Sequence, residues 1–251
     1  MNDESMQNRN RFGLLAKDYV QHRRGYPDDV YKMIRERLPD REIDALDVGC
    51  GTGIAAYVLA TFCRSVTGID KEEEMIMEAK TNTPDNCQFL VSPAEILPFQ
   101  NASFDLISVA QAFHWFDHEK VIKEFHRVIR PNSIIVIFRK RAKDGVKILA
   151  DFVWPILDRY VDRTKLPRNQ NDFSKLHNAG FNSCDVVNLP YEELYTPDEY
   201  LGFLRSHSVY NLVPERQRET YLEDMRIEMT NHRENGFIVI RGIVEIWFLR
   251  S

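Results

Sequence analysis

The stretch Ala45-Leu46-Asp47-Val48-Gly49-Cys50-Gly51-Thr52-Gly53 constrains this chain more than any other. An apolar strand runs into three alternating glycines, a helical pattern follows, and a second apolar strand, Ser65 to Ile69, ends at Asp70. That order describes a nucleotide-like ligand held at the carboxyl edge of a parallel sheet. Gly49, Gly51 and Gly53 let backbone N–H groups close on the ligand with no Cβ in the way. Asp47 braces the loop, and Asp70 is placed to accept hydrogen bonds from the two hydroxyls of a ribose. A dinucleotide fingerprint would put its third glycine where this chain has Ile54. The spacing therefore argues against a pyrophosphate, and with it an NAD-dependent oxidoreductase.

Helical and strand periods alternate from Asp28 to Phe138. Val30, Met33, Ile34 and Leu38 fall at helical spacing before Pro39. The first strand leads to a helix carrying Ile54, Ala55, Val58, Leu59 and Phe62. Met75, Ile76 and Ala79 line a short helix, and strands are expected at 88–91, 105–110 and 134–138, the last entered by a turn at Arg130-Pro131-Asn132. Strands joined by helices imply a parallel sheet covered on both faces. Beyond it, 146–160 reads as a helix interrupted at Trp154-Pro155, and 173–179 as a helix ended by Gly180. Residues 183–189 read as a strand. Thr196-Pro197-Asp198-Glu199 is a capping-box start, Val213-Pro214 opens another helix, and 237–249 is strand-like after a turn at 231–236.

Composition narrows the classes. The 251 residues are 43% apolar and carry a net charge of −5, with Lys and Arg scattered among the acids. No broad basic field favours nucleic acid as a partner. The four cysteines have no CxxC spacing, and no His and carboxylate cluster has ligand spacing, so no metal is expected. Unpaired cysteines suit a reducing, cytoplasmic setting. The start lacks a signal-peptide pattern, and the longest apolar run, Ile134 to Phe138, is far too short to span a membrane.

Read with Asp70, the D-x-G-x-G-x-G stretch closely resembles the first motif of the class I S-adenosylmethionine (SAM) methyltransferases, in their type 11-like group. Ala94-Glu95-Ile96-Leu97-Pro98-Phe99, followed by Ser103-Phe104-Asp105, is similar to that group's "A-E-x-L-P-F … S-F-D" segment. The resemblance implies that Ala94 and Glu95 border the adenine. Pro93 replaces an acidic residue often found there. Gln111-Ala112-Phe113-His114-Trp115-Phe116 looks like the "HWF" segment of the trans-aconitate methyltransferase-like branch. It implies that Gln111 to Trp115 line the methyl side, with His114 and Trp115 facing the acceptor. His114 is a candidate general base, hydrogen-bond donor or structural cap. Tyr19, Arg23 and Tyr26-Pro27 match the branch's "Y-x-x-x-R-x-x-Y-P" lead-in, which places Tyr19 and Arg23 near the carboxylate of SAM.

What the resemblance implies is an α/β, Rossmann-like class I methyltransferase sheet of seven mostly parallel strands. Its last strand is antiparallel, helices flank it, and a helical cap is added. Residues 1–251 would form one methyltransferase domain. Within it, 1–27 would be an N-terminal lid helix and 28–139 the SAM-binding core. Residues 140–175 and 196–232 would form the cap, and 176–195 and 233–251 would supply the remaining strands. The expected activity is methyl transfer from SAM, leaving S-adenosylhomocysteine, to a small-molecule acceptor such as a carboxylate. Arg139, Arg141, Arg205 and His207 are further candidates for neutralising an acidic acceptor. A SAM-binding regulatory protein without catalysis is the alternative.

Overall fold

A computed structural model describes residues 22–142, 152–162, 173–207 and 210–251. Along the chain lie α1 (Asp28–Arg37), β1 (Asp44–Val48), α2 (Ile54–Leu59), β2 (Ser65–Asp70), α3 (Glu73–Ala79), β3 (Cys87–Val91), β4 (Phe104–Ala110), α4 (His118–Val128) and β5 (Ile129–Ala142). There follow α5 (Trp154–Leu157), β6 (Ser183–Tyr195), α6 (Pro197–Arg205), α7 (Arg218–Asn231) and β7 (Ile238–Arg250). The seven strands form one sheet in the order β3-β2-β1-β4-β5-β7-β6. Strands β1 to β5 pair in parallel and β7 runs antiparallel, as in the class I methyltransferase fold.

The chain divides into two compact units. Among the described residues, one comprises 25–140, 173–189 and 244–251. All five residues of its central strand β1 are buried, which requires cover on both faces. One face packs Leu46, Val48, Ile107, Val109, Ile135 and Ile137 against Val121, Phe125 and Val128 of α4. On the other face the pairing register sets Phe89, Gly68, Asp47, Ser108 and Val136 in one row across the strands. Gly68 has to be small because Phe89 lies over it: an added Cβ would stand 2.5 Å from Phe89 Cδ1.

The amino ends of the strands are tied by charge. Asp105 is buried, accepts the Asp44 N–H at 3.0 Å and pairs with Arg41 (2.8 Å) and Arg130. Asp44 pairs with Arg64 and Arg130. Burial pushes the Asp44 carboxyl up, but hydrogen bonds from Arg64, Ser65 and Arg130 outweigh it and hold the group below the usual carboxylate range. These charges bond one another at the end of the sheet away from the glycine loop, so they serve structure.

Among the described residues, the second unit comprises 22–24, 141–142, 152–162, 190–207 and 210–243. Its core joins Phe152, Ile156 and Leu157 to Tyr195, Tyr200, Leu204, Tyr221, Met225, Met229 and Ile238. Helix α6 starts on the expected capping box. Thr196 Oγ1 accepts the Glu199 N–H at 3.3 Å, and Glu199 Oε2 accepts the Thr196 N–H at 2.7 Å. The Thr196→Ala variant should lose about 1 kcal/mol of unfolding free energy in urea titration.

Several boundaries differ from the sequence reading. Arg130-Pro131-Asn132 is not a turn ahead of the strand; it is a bulge inside β5, where the pairing steps from Phe104↔Ile129 to Leu106↔Ile134. Residues 174–178 form a 3₁₀ helix, ended as expected by Gly180 at φ +80°. Strand β6 continues past Leu189 to Tyr195, and Pro190 fits because β6 is the last strand in the sheet order. Beyond Pro214 a 3₁₀ turn precedes α7. In the described part of 146–160, only Trp154–Leu157 is α-helical. Among the described residues no helix is long and apolar enough to cross a membrane, and no His, Cys, Asp and Glu group is arranged to hold a metal.

Candidate functional site

The candidate site lies at the carboxyl ends of β1, β2, β3 and β4. Gly49, Gly51 and Gly53 adopt φ of +69°, +54° and +87°, a left-handed path open to glycine and strained for other residues. The loop does not offer its amides as expected. Gly49 and Cys50 donate their N–H groups to Ile69 O at 2.8 and 2.9 Å, and Gly53 donates to Cys50 O at 3.0 Å. Gly51 donates to Asp70 Oδ2 at 2.9 Å. With these donors spent inside the protein, the loop is a poor cradle for a phosphate, which needs outward N–H groups. What the glycines provide is close backbone approach.

Asp70 stands at the end of β2, half-buried. Its Oδ1 accepts the Glu72 N–H at 3.0 Å, so each carboxylate oxygen already holds one backbone donor. Each oxygen keeps a further lone pair for a ribose hydroxyl. Burial pushes this carboxyl up, opposed by the Glu72 and Gly51 N–H bonds and by the charge of Lys71.

Asp47 departs from its expected bracing role. It is 0% exposed, and neither carboxylate oxygen has a hydrogen-bond partner among the described residues. The hydroxyls of Tyr31, Thr52 and Ser108 are likewise buried without partners. Burial first, then the charge of Asp70, push the Asp47 carboxyl up to about 7, with the nearby Ser108 hydroxyl and Ala56 N–H pulling the other way. A buried carboxyl without partners is costly as an anion unless a cation meets it. The adjacent Cys50 thiol is raised well above its usual range, chiefly by burial, so it is no nucleophile.

Two further segments complete the site. Ala94 is buried, and the half-buried Glu95 points its Oε1 at the Asp117 N–H, 2.9 Å away. Gln111 leaves β4 at φ +56°; its N–H donates to Phe138 O, and its Oε1 accepts the Lys140 N–H, both at 2.8 Å. This unusual backbone turns the chain into the 3₁₀ segment Phe113–Trp115. Phe113 points into the core, stacked on His118 with ring centroids 4.2 Å apart. His114 and Trp115 are half-buried, with their rings 5.0 Å apart. Ala112 and Phe116 back directly onto the glycine loop, since a Cβ on Gly49 would meet Ala112 Cβ at 2.6 Å and Phe116 Cζ at 3.0 Å.

The remaining candidates are placed otherwise. Tyr19 lies outside the described residues. Arg23 belongs to the second unit, where its Nε donates to Ser206 Oγ at 3.0 Å and its guanidinium lies over Phe203. Arg139 is paired with Glu245 at 2.8 Å, both nearly buried, and sits over Phe173, which makes it a packing element. The sequence reading missed Tyr31 and Ser108 as site residues. Ser108 has a visible signal, because in a parallel sheet it is the register partner of Asp47.

Buried Asp47, the glycine loop and the half-buried Asp70 at the end of β2 thus form the centre of the candidate site. Residues 46–137 match the family described as "Methyltransferase domain". A candidate type II methyltransferase structure from Anaeromyxobacter dehalogenans superposes with a TM-score of 0.67 at 26% identity, covering 91% of this chain and 97% of that one. A methyltransferase-like protein of Schizosaccharomyces pombe is 26% identical over 210 residues, 83% of this chain and 81% of that protein. A candidate methyltransferase of Dictyostelium discoideum is 33% identical over 128 residues, and there the match spans only 48% of the relative's length. The two findings agree: residues 46–137 match the methyltransferase-domain family, and the sheet has the strand order of the class I methyltransferase fold.

Proposed function

We propose that this chain transfers the methyl group of SAM to a small-molecule acceptor, and that the acceptor is a carboxylic acid. The observation that carries the cofactor side is Asp47, a buried carboxyl without hydrogen-bond partners among the described residues, beside a glycine loop whose Gly49, Cys50, Gly51 and Gly53 N–H donors are spent. That pairing suits a cationic ligand and disfavours a pyrophosphate. Asp70 takes the ribose hydroxyls, the backbone at Ala94 and Glu95 borders the adenine, and Gln111 to Trp115 face the methyl. Tyr19 and Arg23 are assigned to the cofactor's carboxylate by resemblance. The acceptor class comes from the likeness of the His114-Trp115-Phe116 segment to the trans-aconitate branch.

SAM supplies a methyl carbon made electrophilic by its sulfonium. The protein's task is alignment of the acceptor, which can be worth several kcal/mol. Aromatic faces at Trp115 and Phe116 favour a nearby cation by about 0.5–2 kcal/mol. A carboxylate is already a nucleophile and needs no base, so His114 serves as a hydrogen-bond donor that orients it.

Calorimetric titration with SAM and S-adenosylhomocysteine tests the cofactor, and the Asp70→Ala variant should bind about 30-fold more weakly. Full affinity in a folded Asp70→Ala protein removes the ribose assignment. Uptake of a nicotinamide dinucleotide in place of SAM ends the whole reading. Mass spectrometry of a metabolite extract incubated with protein and SAM should reveal a product heavier by one CH₂ that carries an ester. SAM uptake with no such product across the extract would make the chain a SAM-binding regulatory protein.

A further inference from the structure

The loop that borders the adenine is fastened to α4 at both ends of that helix. Toward the helix's end, Glu124 Oε2 accepts the Leu97 N–H at 2.7 Å. Arg127 donates to Leu97 O at 2.9 Å and to Phe99 O at 2.6 Å, and its guanidinium grips Glu124 at 2.8 and 2.6 Å. At the helix's start the connection runs the other way: Glu95, on the loop, accepts the Asp117 N–H at 2.9 Å. Asp117 is the N-cap of α4, its own side chain accepting the Lys120 N–H. It directly follows His114, Trp115 and Phe116.

We propose that Glu95 is a positioning residue whose carboxylate couples the seating of the adenine to the placement of His114 and Trp115. The inference rests on the reading above, in which adenine lies against Ala94. A carboxylate at the start of an eleven-residue helix is held by a charge-assisted hydrogen bond and by the helix dipole together. Swinging it onto a base would forfeit both. Adenine that presses on the backbone at Ala94 therefore moves a lever that ends at Asp117. The aromatic segment, pinned at its other end by Gln111 and backed by Gly49, has to respond.

The test uses the whole protein labelled with ¹⁵N at its three tryptophans, Trp115, Trp154 and Trp247, with the Trp115 indole signal assigned by loss in Trp115→Phe. The ligands are adenosine and S-adenosylhomocysteine. Adenosine should shift the Trp115 signal in the natural protein and in Glu95→Gln, whose amide oxygen still accepts the N–H. Glu95→Ala, which removes the acceptor, should lose the shift. Asp117→Pro gives an independent variant that removes the donor. Asp117 has φ −73°, near that of proline, and Phe116 before it is extended at φ −88°, ψ 156°, so the backbone accepts the change. It should lose the shift, whereas Asp117→Ala, which keeps the N–H, should retain it. Two results overturn the proposal: an undiminished shift in both Glu95→Ala and Asp117→Pro, or loss of adenosine affinity of about tenfold or more in Glu95→Ala and Glu95→Gln alike. The second would make the carboxylate a ligand of the base. A natural protein that binds neither compound would instead overturn the cofactor reading itself.

Discussion

Gly49→Ala should lower the unfolding free energy by about 3 kcal/mol and abolish S-adenosylhomocysteine binding, the sum of a left-handed backbone and an overpacked contact. At φ +69° the new Cβ is strained before any neighbour is considered. It would also stand 2.6 Å from Ala112 Cβ and 3.0 Å from Phe116 Cζ. Relief requires the glycine loop and the aromatic segment to separate, and those surfaces form the proposed cofactor site. Gly236 supplies the control. Its φ is +90°, yet nothing lies within 4 Å of a Cβ built there. Gly236→Ala should cost only the backbone share, about 1 kcal/mol, with cofactor binding intact. Urea titration and calorimetry on the pair separate strain from collision. Equal losses in the two variants would show that the Gly49 contact is not tight, and normal binding by Gly49→Ala would show that the loop does not shape the site.

The elements of the sheet core can be read from residues that start and stop them. Pro39 follows α1, Gly49 ends β1, and Asp70 ends β2, and the structure places each boundary within a few residues. The bulge at Arg130–Asn132 could not be read this way. Its proline and asparagine carry an ordinary turn signal, and only pairing with Phe104 and Leu106 makes them part of a strand. The length of β6 was hidden for a related reason. Pro190 normally stops a strand, and it is tolerated because β6 ends the sheet order, a property of topology and not of local sequence.

For the candidate site, the spacing of the glycines and of Asp70 carries most of what the structure later assembles. The partners of those groups are another matter. Nothing in Gly49-Cys50-Gly51 shows that its amides turn inward to Ile69 and Asp70. Nor does a helical period distinguish Tyr31, whose hydroxyl is buried toward Asp47, from its apolar neighbours Val30 and Ile34. The aromatic run at 113–116 divides in space. Phe113 joins the core, Phe116 backs the glycine loop, and His114 and Trp115 stay half-buried. A 3₁₀ turn of three residues scatters consecutive side chains over different directions, so composition alone could not assign them.

Asp47→Asn should stabilise the ligand-free protein in a pH-dependent way while weakening its hold on SAM. The Asp47 carboxyl is pushed up to about 7 by burial and by the charge of Asp70. The other titratable groups around it are Tyr31 and Cys50, both themselves raised, and neither supplies a positive charge. In the unfolded chain an aspartate titrates near 3.9. Between about pH 4 and pH 7 the native state therefore binds the extra proton, and stability falls as pH rises across that window. The contribution is whole below the unfolded value and gone once pH has passed through the native one. An amide at this position never ionises, so the advantage of the variant over the natural protein should grow by on the order of 2–3 kcal/mol from pH 5 to pH 8. In melting temperature that is roughly 5–10 °C. The ligand works in the opposite direction. A cation placed against Asp47 favours its ionised form, so SAM binding near pH 6.5 should release a proton, measurable as a dependence of the calorimetric heat on buffer ionisation. Asp47→Asn should lose that release together with at least about tenfold in affinity. A stability difference that stays flat from pH 5 to pH 8 would mean that the buried carboxyl has found a partner after all, and the site would no longer select a cation.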